Sequence, residues 1–199
     1  MKQAQVEELV YQALETELGG VEVYTTAVKC AQNEDLKEEW EEYLEQTKRH
    51  VQVMRTVCDG LGLDPEKDTL GRQIVRSKGQ ALVEAMSTAL KAGDPTAAEL
   101  VACECVVDAE HKDHQNWELM RACSEKLKGE EGKVLADACD EVEDEEDEHL
   151  YHTMGWCREL WIQSLGMPAQ LPPPEEEKDV KTAIGAARAK QARKPARAR

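Results

Sequence analysis

At 199 residues and 22.3 kDa, the chain is long enough for one domain with a real core, plus a tail. Aromatic residues make up only 4% and Phe is absent, so strand-forming runs are scarce and an all-helical chain is favoured. The net charge of −16 is unevenly divided: seven of the 25 Lys/Arg fall in residues 181–199, which hold no acid, and the acidic body argues against nucleic-acid binding by the domain itself.

Residues 4–31 read as a first helix, with Val10, Ala13, Leu14, Glu17, Val21, Tyr24 and Val28 on one stripe. Glu17 stands inside that stripe among apolar neighbours. Gly19-Gly20 costs helix propensity of about 1 kcal/mol per Gly, so it is expected to allow a close helix contact or a local bend. Asn33-Glu34-Asp35 gives a short turn and a helix-start signal. A second helix then spans about 36–60, with Leu36, Trp40, Tyr43, Thr47, His50, Val51, Met54 and Cys58 inward, and ends at Gly60 to Pro65. The short connection makes these two helices antiparallel neighbours.

Residues 66–72 read as loop and 73–92 as a further helix, closed by Gly93-Asp94-Pro95. Asp94 or Thr96 can cap the next helix, over about 96–127, whose stripe reads Leu100, Val101, Glu104, Val107, Asp108, His111, His114 and Trp117. The last helix covers about 133–165 and places Leu135, Cys139, Val142, Glu145, Glu146, His149, Thr153, Trp156 and Leu160 inward. It carries the acid-rich run from Asp140 to Glu148. Most of those acids read as a solvated face, but Glu146 and His149, three residues apart, share one strip of the helix.

Residues 1–166 therefore form the helical domain, 167–180 a Pro/Glu-rich linker, and 181–199 a basic Ala/Lys/Arg tail expected to be disordered. The tail either solubilises the chain or touches nucleic acid or an acidic partner in a salt-sensitive way. The seven cysteines include no Cys-x-x-Cys pair and read mostly as small core residues in a reducing compartment. No apolar run approaches the length of a membrane span, so the expectation is a cytoplasmic protein with no membrane contact.

Four helices thus each offer a polar group in an apolar stripe: Glu17, His50, Glu104 with Asp108 and His111, and Glu146 with His149. Isolated buried carboxylates are costly, and no Lys or Arg in these stripes neutralises them. A metal ion would, and oxygen plus imidazole donors suit iron or manganese.

In this order the residues resemble the ferritin-like superfamily, rubrerythrin-type members most closely, over about residues 4–160. The family pattern is a Glu, a Glu-x-x-His, a Glu and a Glu-x-x-His on four successive helices. Glu17 with Tyr24 seven residues later, Trp40-x3-Leu44-x2-Thr47-x2-His50, Glu104 and Glu146-x2-His149 carry the resemblance. It implies an antiparallel four-helix bundle with residues 73–92 as a crossover, and a dinuclear iron or manganese centre. Glu104 and Glu146 would bridge the metals, with one imidazole each from His50 and His149. It also implies handling of iron, oxygen or peroxide as an oxidase, peroxide scavenger or stress protein, an external electron donor, and a homodimer. One departure stands out: Thr47 occupies the place of a ligand Glu, and Asp108 or His111 is expected to supply the missing ligand. The contrasting expectation is a non-catalytic scaffold or regulator with a degenerate site, interacting through its tail.

Overall fold

In the computed structural model, which describes residues 2–168, the chain forms five α-helices: α1 (Gln3–Cys30), α2 (Glu34–Gly60), α3 (Leu70–Ala92), α4 (Pro95–Ser124) and α5 (Glu130–Ser164). No strand is formed among the described residues. The tail expected at 181–199 and nearly all of the linker lie outside them.

Local chemistry sets the helix starts. The Asn33 side chain accepts from the backbone N–H of Asp35 and Leu36 at 3.0 and 3.2 Å. Asp94 accepts from Ala97 N–H at 3.1 Å, with Pro95 in the first turn, so Asp94 rather than Thr96 is the cap. Thr69 accepts from Arg72 N–H at 3.2 Å, and this cap starts α3 at Leu70, inside the stretch expected to be loop. Gly93 takes the left-handed conformation, φ 82°, that ends α3.

The three-residue connection between α1 and α2 makes them antiparallel, and the five-residue one does the same for α4 and α5. α1 packs on α2, α3 and α4, while α5 packs on α2 and α4. Helices α1, α2, α5 and α4 so form a closed ring of neighbours, and α3 lies outside it against α1 and α4. At Gly20 a Cβ would come to 3.1 Å from the Thr47 methyl, so this glycine lets α1 approach α2 closely.

Two apolar clusters fill the interior. One holds Tyr24, Leu36, Trp40, Tyr43, Met86 and Trp156; the other holds Val10, Leu14, Met54, Trp117, Leu135 and Val142. Between them, in sequence position on every ring helix, come the buried polar residues Glu17, Thr47, His50, Glu110, Asp113, Glu146 and His149.

Candidate metal centre

Helix period brings these groups to one place. Glu17 of α1 is completely buried, and its Oε1 accepts from Trp117 Nε1 at 2.9 Å. His50 of α2 is also completely buried. Its Nε2 meets the Glu145 carboxylate at 2.8 Å, and its Nδ1 lies 2.9 Å from Glu146 Oε1 and 3.7 Å from Glu17 Oε2. His149 of α5 is arranged in the same way. Its Nε2 meets Gln46 Oε1 at 2.7 Å, and its Nδ1 faces Glu146 Oε1 at 3.6 Å and Glu110 Oε2 at 3.8 Å. The two imidazole rings are stacked with centroids 5.6 Å apart.

The outer partners bias the tautomers. An ionised carboxylate or an amide oxygen only accepts, so Glu145 and Gln46 favour the proton on Nε2 of each ring and turn Nδ1 to the cluster. A histidine held at its far nitrogen with the near one free is the usual posture of a metal ligand.

Several of the carboxylate oxygens find no protein donor. Glu17 Oε2, Glu110 Oε2, Asp113 Oδ1 and both oxygens of Glu146 are buried without a hydrogen-bond partner. Among the described residues the buried arginine is Arg72, which pairs with Glu15 at 2.8 Å, away from this cluster. Lys112 is turned to Asn116. Burial, and then repulsion from Asp113 and Glu146, holds Glu17 well above the usual carboxylate range. Glu110 and Asp113 are raised well above it too, by burial first and then by Glu146. Burial, then Glu145 and Asp147, pushes Glu146 up to about 8. Burial lowers both His50 and His149, the latter strongly. Without a cation the site must hold protons; with one, it presents ionised oxygens and neutral imidazoles together.

Two ligand groups result, and each could hold a metal ion. His50, Glu146 and His149 form one, Glu17, Asp113 and Glu146 the other, and within each the donor atoms lie within 4.8 Å of one another. Glu146 belongs to both. The donor set of carboxylates and imidazoles fits a hard to borderline divalent or trivalent ion.

Of the residues expected from the sequence, Glu17, His50, Glu146 and His149 meet here. Glu104, Asp108 and His111 do not. All three are exposed on α4. Glu104 accepts from Trp161 Nε1 at 3.0 Å, and the His111 ring is held at the Val107 carbonyl, 2.9 Å away. The inward face of α4 is Ala98, Ala102, Cys103, Val106, Glu110, Asp113, Asn116, Trp117 and Met120. Because α4 packs on α1, α3 and α5, it is apolar on more than one side, and its stripe is weakly marked. Glu110 and Asp113 were readable from the run Ala102, Val106, Glu110, Asp113, Trp117, whose steps of three and four residues give one helical face. Glu145 borders the inner stripe beside Glu146, whereas Gln46 carries no such signal because it lies at the margin of its helix.

A second polar network adjoins the site. The Tyr43 ring lies 4.2 Å from that of His149 by centroid, and its hydroxyl meets His152 Nδ1 at 2.5 Å and donates to Glu39 Oε1 at 3.1 Å. Trp156 Nε1 donates to the other Glu39 oxygen at 3.1 Å.

Residues 10–158 match the family described as ubiquinone biosynthesis protein COQ7. The chain belongs to this family. The match spans α1 through most of α5 and so includes every residue of the cluster. This family is part of the ferritin-like diiron-carboxylate superfamily, so the resemblance drawn from the sequence holds at that level. No curated protein and no solved structure matches the chain. Among the described residues, no helix is long and apolar enough to cross a membrane.

Proposed function

We propose that this protein holds a dinuclear iron or manganese centre inside a ferritin-like four-helix bundle and uses it in an oxygen-dependent oxidation. The observation that carries this reading is Glu146. Both of its oxygens are buried and unpartnered between two histidines that each turn Nδ1 toward it, and three further buried carboxylates surround it. Metal ions held by Glu17, His50, Asp113, Glu146 and His149 would supply the binding and reduction of oxygen.

The protein's own residues do the rest. Glu145 and Gln46 fix the ring orientation of His50 and His149. Trp117 aims the Glu17 carboxylate. The two apolar clusters exclude water above and below, which strengthens every charge interaction between them. The family's role in ubiquinone biosynthesis points to a quinone precursor as substrate. An apolar cleft of about 410 Å³ between α1, α3 and α4, lined by Gly19, Gly20, Val23, Val75 and Leu82, offers such a molecule a place beside the α1–α4 seam. Peroxide scavenging and a stress role are further outcomes open to such a centre.

One observation favours a second reading, a scaffold with a degenerate site: Thr47 brings no carboxylate from α2. Metal analysis separates the two readings. Full-length protein loaded with Fe(II) without oxygen and then desalted is expected to keep about two irons per chain, and to consume oxygen faster with a quinol than without. Retention of no metal sinks the metal-centre reading and leaves the scaffold.

A further inference from the structure

Thr47 has no oxygen to give the interior. It is buried, and its hydroxyl donates to the Tyr43 carbonyl at 2.8 Å, while its methyl fills the space against Gly20. Helix α2 therefore contributes an imidazole, His50, and no carboxylate to the cluster. Helix α4 does the reverse. It sends in two carboxylates, Glu110 and Asp113, one turn apart on the same face, and no imidazole.

The two acids of α4 face different groups. Glu110 Oε2 lies by His149 Nδ1 at 3.8 Å. Asp113 offers an oxygen within 4.8 Å of Glu17 and Glu146, the pair that flanks His50 Nδ1. Asp113 is 5% exposed, its Oδ1 has no hydrogen-bond partner, and the ammonium of the adjacent Lys112 is committed to Asn116. Asp113 is hydrogen-bonded to Glu17, itself a group of the cluster, and its Oδ1 is left over among the donors that a cation would join.

We propose that Asp113 is a metal ligand that supplies, from α4, the carboxylate missing from α2 at Thr47. This rests on the metal-centre reading above and adds to it a specific division of donors. Glu17, Asp113 and Glu146 serve as one ligand group and His50, Glu146 and His149 as the other, with Glu110 beside His149. The exchange keeps the number of buried carboxylates while moving one of them across the bundle.

Four full-length proteins test it: wild type, Asp113→Asn, Asp113→Ala, and Asp113→Ala combined with Thr47→Glu. Each is titrated with Co(II) and Fe(II) without oxygen. Metal per chain and the visible Co(II) spectrum are read out, with near-ultraviolet circular dichroism as the check on folding. The wild type is expected to bind about two ions, Asp113→Asn and Asp113→Ala about one each, and the double variant about two again. Recovery by Thr47→Glu is a result that a merely structural Asp113 would not give. If wild type and Asp113→Asn bind the same number with affinities within about twofold, Asp113 is not a ligand and the metal-centre reading survives. If the wild type itself binds nothing, that reading fails and the assignment of Asp113 falls with it. Should Asp113→Ala misfold, Asp113→Asn, which keeps shape and loses charge, decides the matter alone.

Discussion

His50 turns its Nδ1 to Glu146 at 2.9 Å while its Nε2 is held by Glu145 at 2.8 Å. The second contact makes the first useful, because it favours the proton on Nε2. Gln46 does the same for His149. Outer partners of metal-bound histidines are commonly worth 10–100-fold in affinity. Glu145→Ala and Gln46→Ala are therefore each expected to weaken metal binding by about 10-fold or more, with the number of ions at saturation unchanged. Competitive titration against a chelator of known affinity measures this. A loss of stoichiometry instead would make Glu145 or Gln46 a direct ligand.

The protonation of the cluster gives the metal-free protein a particular pH dependence. Glu17, Glu110 and Asp113 are held well above the ordinary carboxylate range, and Glu146 is raised to about 8, in each case by burial first. The folded protein so keeps protons that the unfolded chain has already lost. The stability tied to those protons is complete below the unfolded carboxylate value and is lost as pH rises through the folded one. His50 and His149 are lowered from 6.5, so they oppose folding only on the acid side of that value. Above it the carboxylates act alone. The Tm of chelator-treated protein is expected to fall from about pH 6.5 to about pH 8.5. The gain in Tm on metal loading should grow over the same window, since binding needs the ionised forms. A flat or rising Tm for the metal-free protein would contradict the buried-acid account.

Much of this was legible in the sequence, and the gaps have physical causes. The helices were visible because each carries apolar residues at three- and four-residue steps between Gly, Pro and Asn signals. Glu17, His50, Glu146 and His149 were visible because each interrupts a strongly apolar stripe. On α4 that contrast is weak. Its buried face is built from Ala and Cys as much as from large residues, and it also packs against α3, so the pattern alone favours Glu104 and Asp108 as inward over Glu110 and Asp113. The cap at Thr69 was hidden because a lone Thr in a polar loop is a weak signal. Which side-chain oxygen holds a histidine ring depends on rotamers across two helices, and spacing in one helix does not carry that.

The placement of α4 can be checked with the residues that it excludes. Glu104, Asp108 and His111 are exposed and face away from the cluster. Surface changes of this kind usually move stability by no more than about 0.5 kcal/mol. Glu104→Gln, Asp108→Asn and His111→Asn, singly and together, are expected to leave metal stoichiometry and affinity as in the wild type. Glu104→Gln has a local effect to read, on Trp161 fluorescence, because the indole N–H donates to that carboxylate at 3.0 Å. Loss of an ion in any of the three would place α4 in a different rotation about its axis.

Trp117 probes the cluster from the other side. Its indole N–H is the donor to Glu17 Oε1 at 2.9 Å, and its ring meets that of His50 edge-on with centroids 6.4 Å apart. That hydrogen bond is a force lowering Glu17 against the burial and repulsion that raise it. Trp117→Phe removes the donor and keeps an aromatic ring, leaving a buried carboxylate oxygen unsatisfied at a cost of about 1–3 kcal/mol. Glu17 would then hold its proton more tightly, so metal has to displace a stronger acid–proton pair. Metal affinity of Trp117→Phe at pH 7 is expected to drop, and to approach the wild-type value as pH is raised and Glu17 ionises. A simple packing defect would lower affinity equally at every pH. Isothermal titrations at several pH values, in buffers of different ionisation enthalpy, distinguish these outcomes and count the protons released with each ion.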